Sequence, residues 1–163
     1  MYRVKQFLWA LTACLTKQDK LFLEEYITEE ERKLFYRMPV YEQKHCIKVA
    51  RDVEELSRER GVYSKKLVVV ALFHDIGKTY KPLNPINKSI MVLADKLTRG
   101  KIRKYTNIKK IRVYYEHGKL GEEILGSLGY DERFLYLVKE HHNNDLIEKD
   151  EELEILRICD NKN

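Results

Sequence analysis

All five histidines of this chain fall on helical faces that are otherwise apolar, and that placement restricts the fold more than any other feature. His45 precedes Val49, Val53 and Leu56 at helical spacing. His74 continues the stripe Leu67, Val70, Ala71, and His117 begins the stripe Leu120, Ile124, Leu125, Leu128. His141 follows Phe134, Leu137 and Val138, and His142 follows Leu135 and Val138. Two acids behave the same way, Asp75 beside Ala71 and Leu72, and Asp160 beyond Leu153 and Leu156. One histidine on an apolar face is ordinarily a hydrogen-bonded core residue. Seven such groups in one small domain are a different matter. Each unpaired buried polar group costs about 1–3 kcal/mol, against a total stability of about 5–15 kcal/mol. They need a common partner, and a metal cluster supplies one. Imidazole and carboxylate ligands suit Fe, Mn, Co, Ni or Zn better than Ca or Mg.

The remaining composition narrows the class. With 163 residues, 44% of them hydrophobic, the chain is long enough for one domain with a real core, and disorder is excluded. Only 7 Gly and 3 Pro among many Leu, Lys and Glu point to an all-α protein. Three cysteines without regular spacing argue against a disulfide scaffold and for a reducing compartment. No apolar run approaches the roughly 18 residues of a membrane span. Arg3, Lys5, the apolar run Phe7 to Leu11 and Cys14 resemble a lipoprotein export signal. That run is short for a signal core, and Phe7, Leu11 and Cys14 also share one helical face, so a cytoplasmic chain is expected.

Residues 2–15 are predicted to form an amphipathic helix. Thr16 caps a second near 17–27, with Phe22, Leu23 and Tyr26 inward. Thr28 and Glu31 make a capping box for a third, ended by Pro39. A long fourth helix covers 40–60 and stops at Gly61. Ser64 begins a fifth, ending near Gly77, in which Val68 to Val70 read as helix rather than strand because the 3.6-residue pattern runs longer. Pro82 and Pro85 make 79–85 a loop. Further helices are expected near 86–98, 107–115, 118–128, 132–142 and 151–160.

His45, then His74-Asp75-Ile76-Gly77-Lys78, then His117, His141-His142 and a distant Asp160 resemble the HD-domain superfamily of metal-dependent phosphohydrolases, over roughly residues 40–160. The adjacent His-Asp pair is that family's namesake. The resemblance implies a helical bundle, with 40–163 as the HD domain. Residues 1–39 match no motif of it and are expected as an extra N-terminal helical segment packed on that core, a dimer surface being the alternative use. It implies that His45, His74, Asp75 and Asp160 hold one metal. His117 and the His141-His142 pair resemble the extra ligands of the dinuclear branch, with Asp75 bridging and His117 and His141 on the second ion. His142 is left as a further ligand, a support for one, or a substrate contact. Two divalent transition ions (Fe, Mn, Co, Ni or Zn) are then expected, with attack on phosphorus by a metal-bridging hydroxide. Asp75 and Lys78 are the candidate catalytic residues. Lys78 is read as a point charge on a phosphate, in preference to a helix-end charge. Cys46 and Cys159, beside two of the proposed ligands, are read as small core residues.

Charge is distributed unevenly. Residues 78–112 hold eleven Lys or Arg and the single acid Asp95, a local net charge of +10 within a chain of +5. Tyr80, Tyr105, Tyr114 and Tyr115 are interleaved. A solvated basic face accounts for this, and so does a funnel for an anionic phosphate substrate, a nucleotide above all. Nucleic acid and an anionic membrane surface rank below a small nucleotide, since no nucleic-acid motif accompanies the patch. The ligand order is similar to that of symmetrical diadenosine-tetraphosphate hydrolases, departing from them at His141-His142, where a His-Thr pair is expected. The His-His pair resembles cyclic-dinucleotide phosphodiesterases of the Gly-Tyr-Pro subgroup, but no Gly-Tyr-Pro follows. Two other readings stay open, an HD-fold di-iron oxygenase and a non-catalytic regulatory module that binds a phosphate ligand.

Overall fold

The hydroxyls of Thr16 and Thr28 accept the backbone N–H of Asp19 and Glu31, whose carboxylates accept the N–H of the two threonines in return. These capping boxes start α1 (Lys17–Tyr26) and α2 (Glu29–Phe35) as the sequence predicts. Ser64, Asp131 and Asp150 likewise accept from Leu67, Phe134 and Leu153 at the starts of α4 (Lys65–Phe73), α7 (Glu132–Glu140) and α8 (Glu151–Lys162). Each such cap contributes on the order of 1 kcal/mol. Between them lie α3 (Val40–Glu59), α5 (Pro85–Thr98) and α6 (Lys109–Gly126), with short 3₁₀ turns at Ile76–Tyr80 and Lys101–Tyr105. The computed structural model describes residues 14–83, 85–143 and 149–163, with backbone alone at 85 and 88. Among these residues there are eight α-helices and no strand.

Helix α4 is the centre of the bundle. Every residue from Leu67 to Phe73 is buried, so no face is left for solvent. Helices α3 and α7 pack against it, and α8 closes on α3. One apolar cluster runs from Phe22 to Cys159 and includes Leu23, Tyr26 and Phe35 of the first two helices. A smaller cluster of Leu83, Met91, Ile111, Val113 and Leu120 lies beneath α5 and α6.

Several boundaries differ from expectation; α2 ends at Phe35, short of Pro39, and α7 at Glu140. Helix α4 stops at Phe73 rather than near Gly77, and His74 is its C-cap. Asp75 (φ −99°, ψ 6°) begins the 3₁₀ turn, which takes in Thr79 and Tyr80 from the stretch expected to be loop. The two helices expected at 107–115 and 118–128 are one helix, α6, kinked where Glu116 leaves helical geometry (φ −122°, ψ 15°). The predicted first helix, 2–15, and the export-signal resemblance lie outside the described residues except at Cys14 and Leu15, which are not helical.

Close backbone approach fixes α6 against the 3₁₀ turn and α7. A Cβ on Gly77 would stand 1.9 Å from the His117 carbonyl oxygen, and one on Gly118 would stand 2.4 Å from that of Lys139. Helix α6 therefore lies backbone to backbone against both the 3₁₀ turn and α7. That contact sets the relative positions of Asp75, His117 and His141.

Candidate metal centre

Three of the histidines are oriented by their own helices. The Nδ1–H groups of His74, His117 and His141 donate to the carbonyls of Ala71, Val113 and Val138 at 2.7, 3.1 and 2.6 Å. That bond leaves the Nε2 lone pair of each ring free to act as a ligand. All three Nε2 atoms, and Asp75 Oδ1, are buried with no hydrogen-bond partner. Four acceptor atoms facing one another cannot satisfy each other, whereas a cation satisfies all of them at once. The donor set thus fits a transition metal, on the chemistry of its own atoms.

Asp75 lies between two groups of side chains. Its Oδ2 is 3.7 Å from His45 Nε2 and 3.4 Å from His74 Nε2. Its Oδ1 is 3.3 Å from His117 Nε2 and 3.9 Å from His141 Nε2. Asp160 reaches back from α8, with Oδ1 3.0 Å from His45 Nε2 and 3.5 Å from His74 Nε2. The ligand atoms of His45, His74 and Asp160 lie within 4.8 Å of one another, as do those of Asp75, His117, His141 and His142. His142 differs from the rest: its side chain is 53% exposed, and its Nε2 lies 3.7 Å from Asp160 Oδ2. All seven side chains singled out in the sequence are brought together.

Burial and charge act in opposite directions here. Burial works to raise Asp75, but Lys78, His74, His117 and His45 outweigh it and hold the carboxyl well below the usual range. Asp160 follows the same pattern: burial works to raise it, and the hydrogen bond to His45 and the neighbouring His74 ring hold it well below the usual range. His117 is held down to about 4 by burial, and burial together with the neighbouring rings keeps His141 well below its ordinary value. Both rings are therefore neutral, as metal ligands must be. Burial also opposes charge on His74, but there the carboxylates of Asp75 and Asp160 prevail and raise it, so that a metal binding at its Nε2 would displace a proton.

Lys78 stands over Asp75 because the 3₁₀ turn eclipses residues three apart. Its Nζ donates to Asp75 Oδ2, and to Glu42 Oε2 at 3.2 Å. Burial opposes its charge, but Asp75 and Glu42 raise its pKa above the ordinary lysine value. Glu42 was not singled out in the sequence. It is buried on α3 one turn before His45, and that i, i+3 relation to a proposed ligand was the available signal. Cys46 is buried in the main apolar core, as expected, and it also borders the cluster. Its Sγ lies within 4.8 Å of ligand atoms of His74 and Asp75, so it faces the cluster rather than only the core. Burial pushes its thiol up, which keeps it protonated and a poor ligand.

Neither a search of curated proteins nor one of solved structures gives a match to the chain. A family model, that of the HD domain, matches residues 43–162. The match takes in each of the seven clustered side chains and Lys78, while Glu42 stands just ahead of it. This chain belongs to the HD-domain family.

Proposed function

We propose that the protein is a metal-dependent phosphohydrolase acting on a nucleotide or another small phosphate ester. HD domains are typically metal-dependent phosphohydrolases, and the buried His/Asp cluster supports that reading here. The observation that carries the finer reading is the pair of Asp75 oxygens, one directed at His45 and His74, the other at His117 and His141. On this reading His45, His74, Asp75 and Asp160 hold one divalent transition ion. Asp75, His117 and His141 hold a second, with His142 on the exposed side. Such ions, when bound, supply Lewis-acid charge and lower the pKa of coordinated water to about 7.

The chain's own residues account for the rest. Lys78 brings a fixed positive charge to the rim of the site and is the candidate phosphate contact. Glu42 holds that ammonium in place and acts as a positioning residue. His142, exposed beside His117 and His141, meets an incoming ligand first. The basic segment 78–112 attracts anions towards the site. Residues 1–39 are proposed as an extension packed on the domain 40–163, supported by the burial of Leu23, Tyr26 and Phe35.

The test is one screen with the full chain. Mono-, di- and polyphosphate nucleotides and cyclic dinucleotides are offered with Mn, Fe, Co, Ni or Zn, and bound metal and released phosphate are measured. Two metal equivalents and turnover of at least one ester are expected. Two equivalents of iron with oxygen uptake and no phosphate release would replace this reading with the oxygenase.

A further inference from the structure

Helix α5 carries its apolar residues on the wrong side for a core helix. Ile86, Ile90, Leu93 and Leu97 follow one another at i, i+4, i+7 and i+11, a single face, and are 57%, 56%, 57% and 75% exposed. That face is about 16 Å long at 1.5 Å per residue. The opposite side of the helix is already used, with Met91 buried in the smaller cluster. From Leu97 onward, Ile102, Tyr105, Ile108 and Ile111 continue the apolar surface into a groove of about 840 Å³, rimmed by Arg99, Lys101 and Lys104.

Charge accompanies the stripe. Lys96, Arg99, Lys101, Arg103 and Lys104 are exposed, and none pairs with a carboxylate among the described residues. The only acid of the segment, Asp95, accepts a hydrogen bond from the Tyr115 hydroxyl and stands half-buried. We propose that this face, the α5 stripe together with the cationic turn that follows, docks the protein on an anionic phospholipid surface. An aliphatic stripe beside a dense Lys/Arg border is the pattern of a helix lying in the plane of a membrane interface, its apolar face among the acyl chains and its cations among the headgroups.

Other occupants fit less well. A two-fold dimer through this face would bring the same cations of two copies against each other. Residues 1–13 of this chain carry Arg3 and Lys5 and no acid, so they too would add like charge. Single-stranded nucleic acid requires aromatic platforms. The protruding side chains on α5 are aliphatic, and the Tyr105 ring beside them already carries Lys104 at 4.9 Å.

The test uses the full chain and sedimentation with two kinds of vesicle, phosphatidylcholine alone and phosphatidylcholine containing about a third phosphatidylglycerol. Binding to the anionic vesicles is expected, with at least about tenfold less to the neutral ones and a decline as salt rises. Ile90→Ser with Leu97→Ser should reduce binding about tenfold, and Lys101→Glu with Lys104→Glu about thirtyfold or more. Both pairs are solvent-exposed, so the thermal midpoint and metal content should stay unchanged. Equal binding to both vesicles, or no binding to either, overturns the proposal. So does tighter binding to a single-stranded oligonucleotide, or a dimer that Ile90→Ser with Leu97→Ser dissociates.

Discussion

At the scale of single residues, Asp75 and Lys78 make separable predictions. Asp75→Ala removes the carboxylate that both groups of rings share, so metal content and turnover should both fall to background, read by elemental analysis and phosphate release. Retention of both ions would refute the bridging assignment. Lys78→Ala should leave the metal in place and lower kcat/KM by roughly 10²–10³, the usual cost of one electrostatic contact to developing charge. Glu42→Gln should lie between wild type and Lys78→Ala, acting on kcat more than on KM, because it loosens Lys78 without touching a ligand atom. A purely structural Glu42 would lower the thermal midpoint and leave kcat alone. The histidines and the two acids were legible in the sequence because polar groups on apolar stripes are conspicuous. Glu42 was not, since an acid in the first turn of a helix reads as an ordinary complement to the dipole.

At the scale of elements, the site depends on how closely α6 approaches its neighbours. Gly118→Ala would press a methyl group against the Lys139 carbonyl, and backbone cannot yield as a flexible side chain does. The expected cost is about 1–3 kcal/mol, with looser metal binding, because His117 and His141 are carried by the two helices forced apart. Thermal denaturation and a metal-competition titration check this. Helix α8, which brings in Asp160, is secured at its start by Asp150, whose carboxylate caps Leu153 and accepts a two-pronged bond from Arg133 at 2.6 and 2.7 Å. The Arg133 bond holds Asp150 below the ordinary aspartate value. The unfolded chain therefore takes up that proton first as pH falls. The stabilisation is present above about pH 4 and disappears as pH drops through the lower folded value. Because Arg133 is partly exposed, the effect is about 1 kcal/mol or less. Asp150→Asn keeps the cap and should reduce stability at pH 7, with the gap to wild type closing near pH 2. The caps at Thr16, Thr28 and Ser64 were readable in the sequence, whereas those at Asp131 and Asp150 came from the structure. The 3₁₀ turn after Asp75 was not readable, because five residues are too few to distinguish a three-residue period from 3.6.

At the scale of the whole molecule, periodicity served well except where an apolar stripe faces outward. Phe22, Leu23 and Tyr26 were expected inward and are buried. The stripe on α5 has the same period, yet it faces solvent, because α6 and the second 3₁₀ turn occupy its other side. Helical period tells which residues share a face, not what that face meets. Metal removal should register in the entire fold, since a cluster that draws on α3, α4, α6, α7 and α8 joins most of the bundle. At a free ion concentration of 100 times Kd, bound metal adds about 2.7 kcal/mol, so chelation should lower the thermal midpoint by several degrees. An unchanged midpoint would place the ions elsewhere.

His45 and Asp160 meet across 115 positions of sequence. Bringing such distant segments together carries a closure entropy that must be met before the contact exists. The first group of ligands is therefore complete only after the bundle has closed. On the proposed assignment, an ion at this first group would lock the finished fold rather than act as a template for its closure. Stopped-flow measurements should accordingly find refolding rates indifferent to added metal and unfolding rates slowed by it, with the entire gain in stability on the unfolding side.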